Sequence, residues 1–236
     1  MNNQDAVMAS YTGEAGIFVV ADGMGGHYKG EIASQEAVAR LRAWWEGFGE
    51  DILSISFLNL ILDLEKKIQE INESVYQTYQ QMKQRGGTTL CVLVVRRNAY
   101  AVLNIGDSRL YRRQGWKCTQ ETRDDVWENQ KKIRQTMTEE EVRKNPSYGR
   151  LIQALGASPK VQIFVRTGRL KNKSCFFLCT DGVYKYCKEA WLFASLRKLR
   201  NERSAEAFAE RTKEAVFENG AGDNFSLITV LLDKKE

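Results

Sequence analysis

The chain has 236 residues, with 35 Lys and Arg against 30 Asp and Glu and a formal net charge of +5. Hydrophobic residues make up 43%, enough to bury a substantial core without disulfides, and the basic excess is spread thinly, as in ordinary surface solvation and unlike a nucleic-acid footprint. No apolar run approaches the length of a membrane span and the stretch MNNQDAVMAS lacks the order of a secretion signal, so a cytoplasmic protein with no membrane or nucleic-acid partner is expected.

Five cysteines with no Cys-x-x-Cys, and one histidine in the whole chain, argue against a zinc site. Cys91, Cys175 and Cys179 lie in apolar runs, where a free thiol behaves as a small hydrophobe. A single histidine also excludes two-histidine mechanisms, and no Gly-x-Ser-x-Gly elbow supplies a serine nucleophile.

In chain order, Asp5 to Thr12 and the run Ile17 to Val20 read as a hairpin turned at Gly13 to Gly16. The second strand delivers Asp22 into a loop of four glycines before a helix begins. Glycines let backbone carbonyls and amides approach a small ligand closely, which suits a hard cation or a phosphate. Nucleotide-binding readings of this loop fail: a Gly-x-Gly-x-x-Gly would need glycine at Tyr28, and no Gly-x-x-x-x-Gly-Lys-Ser/Thr is near.

Ile32, Ala33, Ala37, Val38, Leu41, Trp44 and Trp45 recur at helical spacing and stop at Gly47 to Gly49. A second stripe, Leu60, Ile61, Leu64, Ile68, Ile71, Val75 and Met82, predicts a long core helix from Phe57. Gly86-Gly87 ends it. TTLCVLVVRR, AYAVLNIGDSRLYRRQ and GWKCTQ then read as a three-stranded antiparallel meander. The charged stretch from Glu121 to Asn145, with Thr138 and Glu141 spaced as a helix cap, reads as a helical flap, about 121–149, over an edge of the site. Strands VQIFVRTG and SCFFLCTDG follow, then helices about Lys188 to Leu199 and Ser204 to Glu218, and a last strand Phe225 to Leu232.

Strands at both ends with two pairs of helices, and no regular alternation, predict one α+β domain: a central antiparallel β-sandwich of two sheets flanked by pairs of helices. Loops at one end of such a sandwich can gather Asp22, Asp107, Asp181 and Asp223, each beside Gly or Asn at a strand end. Carboxylates crowded in a cleft repel one another, and a divalent cation keeps them ionised; all-oxygen ligands select magnesium or manganese.

These motifs, in this order, resemble the PPM-type, protein phosphatase 2C-like, metal-dependent serine/threonine protein phosphatases. The match runs through Asn3-Gln4-Asp5, Asp22-Gly-Met-Gly-Gly-His with Gly30-Glu31 and Ala33-Ser34, Gly86-Gly-Thr-Thr, Ile105-Gly-Asp-Ser-Arg, Thr180-Asp-Gly and Gly222-Asp-Asn. The Gly-Met-Gly-Gly-His form is similar to the bacterial branch. The resemblance implies hydrolysis of phosphoserine and phosphothreonine by a water bridging two Mn2+ or Mg2+ ions, on phosphorylated proteins made by a serine/threonine kinase. It also implies roles: Asp22 bridges the metals, the Gly23 carbonyl completes the second, and Asp181 and Asp223 hold the first, so these three aspartates are the catalytic set. Asp107 with Asp181 takes a third, weaker metal, Asp5 belongs to the metal surroundings, and Thr88, Thr89 and Asn224 shape the loops.

Two departures stand out. Animal members place a proposed acid, histidine, two residues after the bridging aspartate; here Met24 stands there, and His27 is assigned a structural or outer role. The phosphate-gripping arginine, five residues ahead of the Asn-x-Asp aspartate, would fall before Met1. Either the natural chain starts upstream, or Arg109, Lys131 or Lys132 serves instead. A phosphatase-like binding module with poor turnover therefore stands as the alternative reading.

Overall fold

In the computed structural model, which describes residues 2–25, 30–171, 173–199 and 201–232, the run around Val19 becomes the centre of the molecule. Strands β1 (Asp5–Thr12) and β2 (Ala15–Gly25) form the expected hairpin, and β3 (Gly86–Thr88) pairs with the far end of β2. Next come β4 (Leu90–Arg96), β5 (Ala99–Ile105), β6 (Arg109–Gln114) and β7 (Lys117–Gln120). The set closes with β8 (Phe164–Arg169), β9 (Ser174–Cys179) and β10 (Leu227–Leu232). They make two antiparallel sheets, one in the order β1-β2-β4-β5-β8 and the other β10-β9-β6-β7.

Continuous apolar strands are explained by burial on both faces. Ile17, Val19 and Ala21 of β2, with Val92 and Val94 of β4, point into a core shared with α1 (Gly30–Glu46) and α2 (Phe57–Gln81). Their alternates Phe18, Val20, Cys91 and Leu93 meet Leu110, Phe176 and Leu178 of the other sheet. On the far side Tyr111 and Phe177 pack with Leu192 of α6 (Glu189–Leu196) and Phe208 of α7 (Glu202–Glu218). The layers are thus helix, sheet, sheet, helix, as the sequence predicts. No helix among the described residues is long and apolar enough to cross a membrane.

Five local expectations change. Asp22 to Gly25, read as the start of a loop, belong to β2, which runs on to Gly25 with Gly23 opposite Thr88. The expected meander is two hairpins in different sheets: Gly106, at φ +91°, takes a backbone conformation that other residues resist and carries the chain from β5 across to β6. Met82 caps α2 and is 42% exposed, while Tyr79 takes the buried place. Within the stretch read as a flap, Glu121, Thr122, Asp124 and Val126 are buried, whereas α3 (Lys131–Thr136) and α4 (Glu139–Lys144) hold no buried residue. Thr138 and Glu141 do cap α4 reciprocally. Finally, Asp181 opens a one-turn helix, α5 (Asp181–Tyr184), where a loop was expected.

Candidate active site

Each aspartate reaches its place through local sequence chemistry. The hairpin register sets Asp5 directly opposite Asp22. The Asp22 amide donates to Thr89 Oγ1 at 2.9 Å, its carbonyl accepts from Thr88 Oγ1 and the Thr89 amide, and Thr89 Oγ1 contacts Ser108 Oγ at 2.7 Å. These contacts link the Asp22 strand to the residue after Asp107. Thr180 Oγ1 donates to Asp5 Oδ2 at 2.9 Å and accepts from the Ser226 amide, so one hydroxyl ties the start of β1 to the segment before β10. Asn224 Oδ1 accepts from the Gln4 amide at 2.9 Å, the loop-shaping role expected of it. A side chain on Gly182 would place its Cβ 2.0 Å from the Asn224 carbonyl oxygen; only glycine lets the Asp181 turn and the Asp223 loop approach this closely.

The five aspartates named from sequence therefore meet at one end of the sandwich. Burial first, then the carboxylates of Asp181, Asp5, Asp223 and Asp107, push the Asp22 carboxyl up to about 9. Burial and the nearby Asp181 raise Asp107 to about 6, against a hydrogen bond from the Tyr184 hydroxyl at 3.0 Å. Burial likewise raises Asp5. Among the described residues no three His, Cys, Asp or Glu side chains are already drawn round a common point. Each of four carboxylates has a partner within the protein: Lys185 Nζ pairs with Asp181 Oδ2, Tyr184 holds Asp107, Thr180 holds Asp5, and Asp223, exposed on its loop, accepts from the Asn224 amide. Yet Asp5 Oδ1 and Asp181 Oδ1 are buried without any hydrogen-bond partner. Desolvated carboxylate oxygens in a like-charged group fit a hard cation, and little else satisfies them.

Some residues of the site escaped the sequence reading. Lys185 and Tyr184 contact Asp181 and Asp107 from α5, and the four-residue step from Asp181 to Lys185 was the signal available. Arg109, a candidate phosphate grip, is instead committed to the protein. Its Nε and Nη2 donate to Asp124 Oδ2 at 2.9 and 2.7 Å, Nη1 donates to the Tyr111 hydroxyl, and the guanidinium stacks 3.6 Å from the Tyr184 ring centre. The other candidates, Lys131 and Lys132, are exposed on α3. Met24 is 37% exposed two residues past Asp22. His27 lies outside the described residues.

The family model described as protein phosphatase 2C matches residues 1–226. A serine/threonine phosphatase, stp, of Listeria monocytogenes is 30% identical over 223 residues, covering 93% of this chain and 84% of the relative. In fold, the crystal structure of a bacterial serine phosphatase superposes with a TM-score of 0.86 over 100% of this chain and 94% of that one, at 24% identity. The catalytic domain of the serine/threonine protein phosphatase PstP, in complex with two manganese ions, gives 0.77 over 98% and 93%, also at 24%. Sequence match, fold and the ordered aspartate motifs agree, and the chain belongs to the protein phosphatase 2C family as a bacterial PPM-type protein serine/threonine phosphatase.

Proposed function

We propose that this phosphatase is metal-dependent, with two manganese or magnesium ions held by Asp22, the Gly23 carbonyl, Asp181 and Asp223, and with Asp5 in their surroundings. The observation that carries the reading is the pair of unpartnered, buried oxygens, Asp5 Oδ1 and Asp181 Oδ1, inside a group of carboxylates that burial and mutual repulsion disfavour as anions. The PstP domain, which shares the fold, is described with two manganese ions. When bound, the ions supply positive charge against the phosphoryl oxygens and make water a competent nucleophile at neutral pH.

The protein's own part is placement. The Thr88 and Thr89 hydroxyls fix the Asp22 backbone, Thr180 orients Asp5, and the Gly182 contact sets the spacing of the Asp181 and Asp223 segments. No side-chain nucleophile is required, in keeping with buried thiols whose pKa values burial raises at Cys91, Cys175 and Cys179. The substrates are phosphoserine and phosphothreonine proteins produced by a serine/threonine kinase. Five free cysteines, four of them buried, suit a reducing, cytoplasmic setting. The whole chain acts as one catalytic domain, and of the stretch about 121–149 the exposed helices α3 and α4 serve as its flap.

The test is hydrolysis of a phosphothreonine peptide by protein stripped with EDTA and then given Mn2+. Activity should return with the metal, and Asp22→Ala, Asp181→Ala and Asp223→Ala should each lose roughly a hundredfold or more. Equal activity in EDTA overturns metal dependence. No turnover with any divalent metal supports the binding-module alternative.

A further inference from the structure

Among the described residues, the basic side chain of Lys185 stands within the acidic group. Lys185 Nζ pairs with Asp181 Oδ2 across one turn of α5, and its ammonium is also within electrostatic reach of Asp107 and Asp223. The lysine side chain is 53% exposed, so the ammonium keeps access to solvent while it pairs. Asp181 consequently presents two different oxygens: Oδ2 is engaged by lysine, and Oδ1 is buried without a partner. Asp107 is engaged in the same direction, its Oδ2 accepting from Tyr184, the residue before Lys185. Arg109 in turn stacks on the Tyr184 ring and is anchored by Asp124, which fixes this flank of the site from behind.

The flank between Asp107 and Asp181 is where the family resemblance expects a third, weaker metal ion. The residues present do not fit one: the oxygens Asp107 Oδ2 and Asp181 Oδ2 are both taken by groups of α5. We infer that Lys185 is a resident cation that replaces a metal ion on the Asp107 side of the carboxylate group, leaving a centre that takes two ions. The division of labour follows from Asp181: its free Oδ1 is left for a metal of the pair, while Oδ2 belongs to the lysine. A tethered ammonium supplies one positive charge at fixed position with no dependence on free metal concentration, which a weakly held ion cannot do. The inference rests on the two-metal reading above.

The experiment is calorimetric titration of EDTA-stripped, full-length protein with MnCl2, for the wild type, Lys185→Gln and Lys185→Arg. The wild type and Lys185→Arg are expected to take two ions. Lys185→Gln, which loses the charge at a half-exposed position and should fold normally, is expected to show an additional, weaker binding event. Its hydrolysis of an aryl phosphate should fall roughly tenfold at low Mn2+ and recover at high Mn2+, a second phase that the wild type lacks. Three ions on the wild type, or identical titrations and activation curves for the wild type and Lys185→Gln, overturn the role of Lys185 while the metal centre stands. A wild type that takes up no manganese overturns the metal centre itself, and this inference with it.

Discussion

Asp5 and Asp22 face each other as a direct cross-strand pair, two carboxylates at one position of the β1–β2 ladder. Opposed like charges destabilise a hairpin, and here burial adds to the cost. The fold accepts this because the surrounding layers over-determine the strand: Ile17, Val19, Val20 and Ala21 are all fully buried.

Stability should therefore rise when the repulsion is removed. The folded pKa of Asp22 lies above its ordinary value, so folding takes up protons, and the metal-free protein loses stability as pH climbs from about 4 toward 9. Asp22→Asn should stabilise the EDTA-treated protein by about 1–2 kcal/mol at pH 7, with the gain vanishing near pH 4, where the unfolded carboxyl is also protonated. Adding Mn2+ should reverse the order, raising the melting temperature of the wild type alone. Urea denaturation at both pH values checks this, and an asparagine variant no more stable than wild type at pH 7 counts against a repulsive group.

Arg109 is expected to matter for structure and not for phosphate affinity. Its two hydrogen bonds to the buried Asp124 and its stacking on Tyr184 leave the guanidinium committed. Arg109→Ala strands the Asp124 carboxylate, and breaking such a buried pair costs about 3–5 kcal/mol, somewhat less here because the arginine is 22% exposed. Competitive inhibition by inorganic phosphate should stay within about twofold of wild type at temperatures where the variant is folded. A tenfold rise in that inhibition constant would show that the arginine grips phosphate after all.

The spacing of Asp181 and Asp223 depends on a missing side chain. A methyl on Gly182 meets the Asn224 carbonyl oxygen at 2.0 Å and the Phe225 Cβ at 3.0 Å, both in parts of the chain held by neighbours. Gly182→Ala should cost about 1–3 kcal/mol by overpacking. It should also weaken Mn2+ binding, because relief of the clash moves the two aspartate segments apart. Melting temperature and calorimetric affinity read the two effects separately; a variant with wild-type values for both removes this account of the glycine.

The layers and the aspartates were legible in the sequence for different reasons. Two-sided burial leaves unbroken apolar runs such as Ile17 to Val20, and helix faces leave a 3.6-residue stripe such as Leu60 to Val75, so each element announces itself locally. The aspartates stand out because three apolar runs end in Asp beside Gly and a fourth is opened by Asp223-Asn224. What stayed hidden is set by tertiary contact. Strand partners of β2 and the change of sheet at Gly106 depend on residues far apart in the chain. Lys185 stayed unread because the one-turn helix that brings it to Asp181 is too short to leave a periodic pattern.

Glu121 shows the same limit and gives the last prediction. In sequence it opens a charged stretch; in the structure it is 3% exposed and joins four strands. Its Oε1 accepts from Arg112 Nε at 2.8 Å and from Thr119, and its Oε2 accepts from Arg166 of β8 and from the Tyr100 hydroxyl. Because Arg112 lies on β6 while Tyr100 and Arg166 lie on β5 and β8, this one carboxylate bridges the two sheets. Burial alone would raise its pKa, but the Thr119 hydrogen bond and the two arginines outweigh it, and the carboxyl sits below its ordinary value. The sign follows: the contribution is present above the unfolded pKa of about 4.5 and is lost as pH falls through the depressed folded pKa. Glu121→Gln keeps the size and some hydrogen bonds but leaves the arginines without their anion, so at pH 7 it should cost about 2–4 kcal/mol. As the pH is lowered below 4.5 toward the depressed folded pKa the wild type gives up its advantage, and the gap between the two proteins should narrow. Urea midpoints measured from pH 7 to pH 3 give the comparison. Parallel curves with a constant gap would mean that the carboxylate's charge contributes nothing, and that packing alone joins the sheets there.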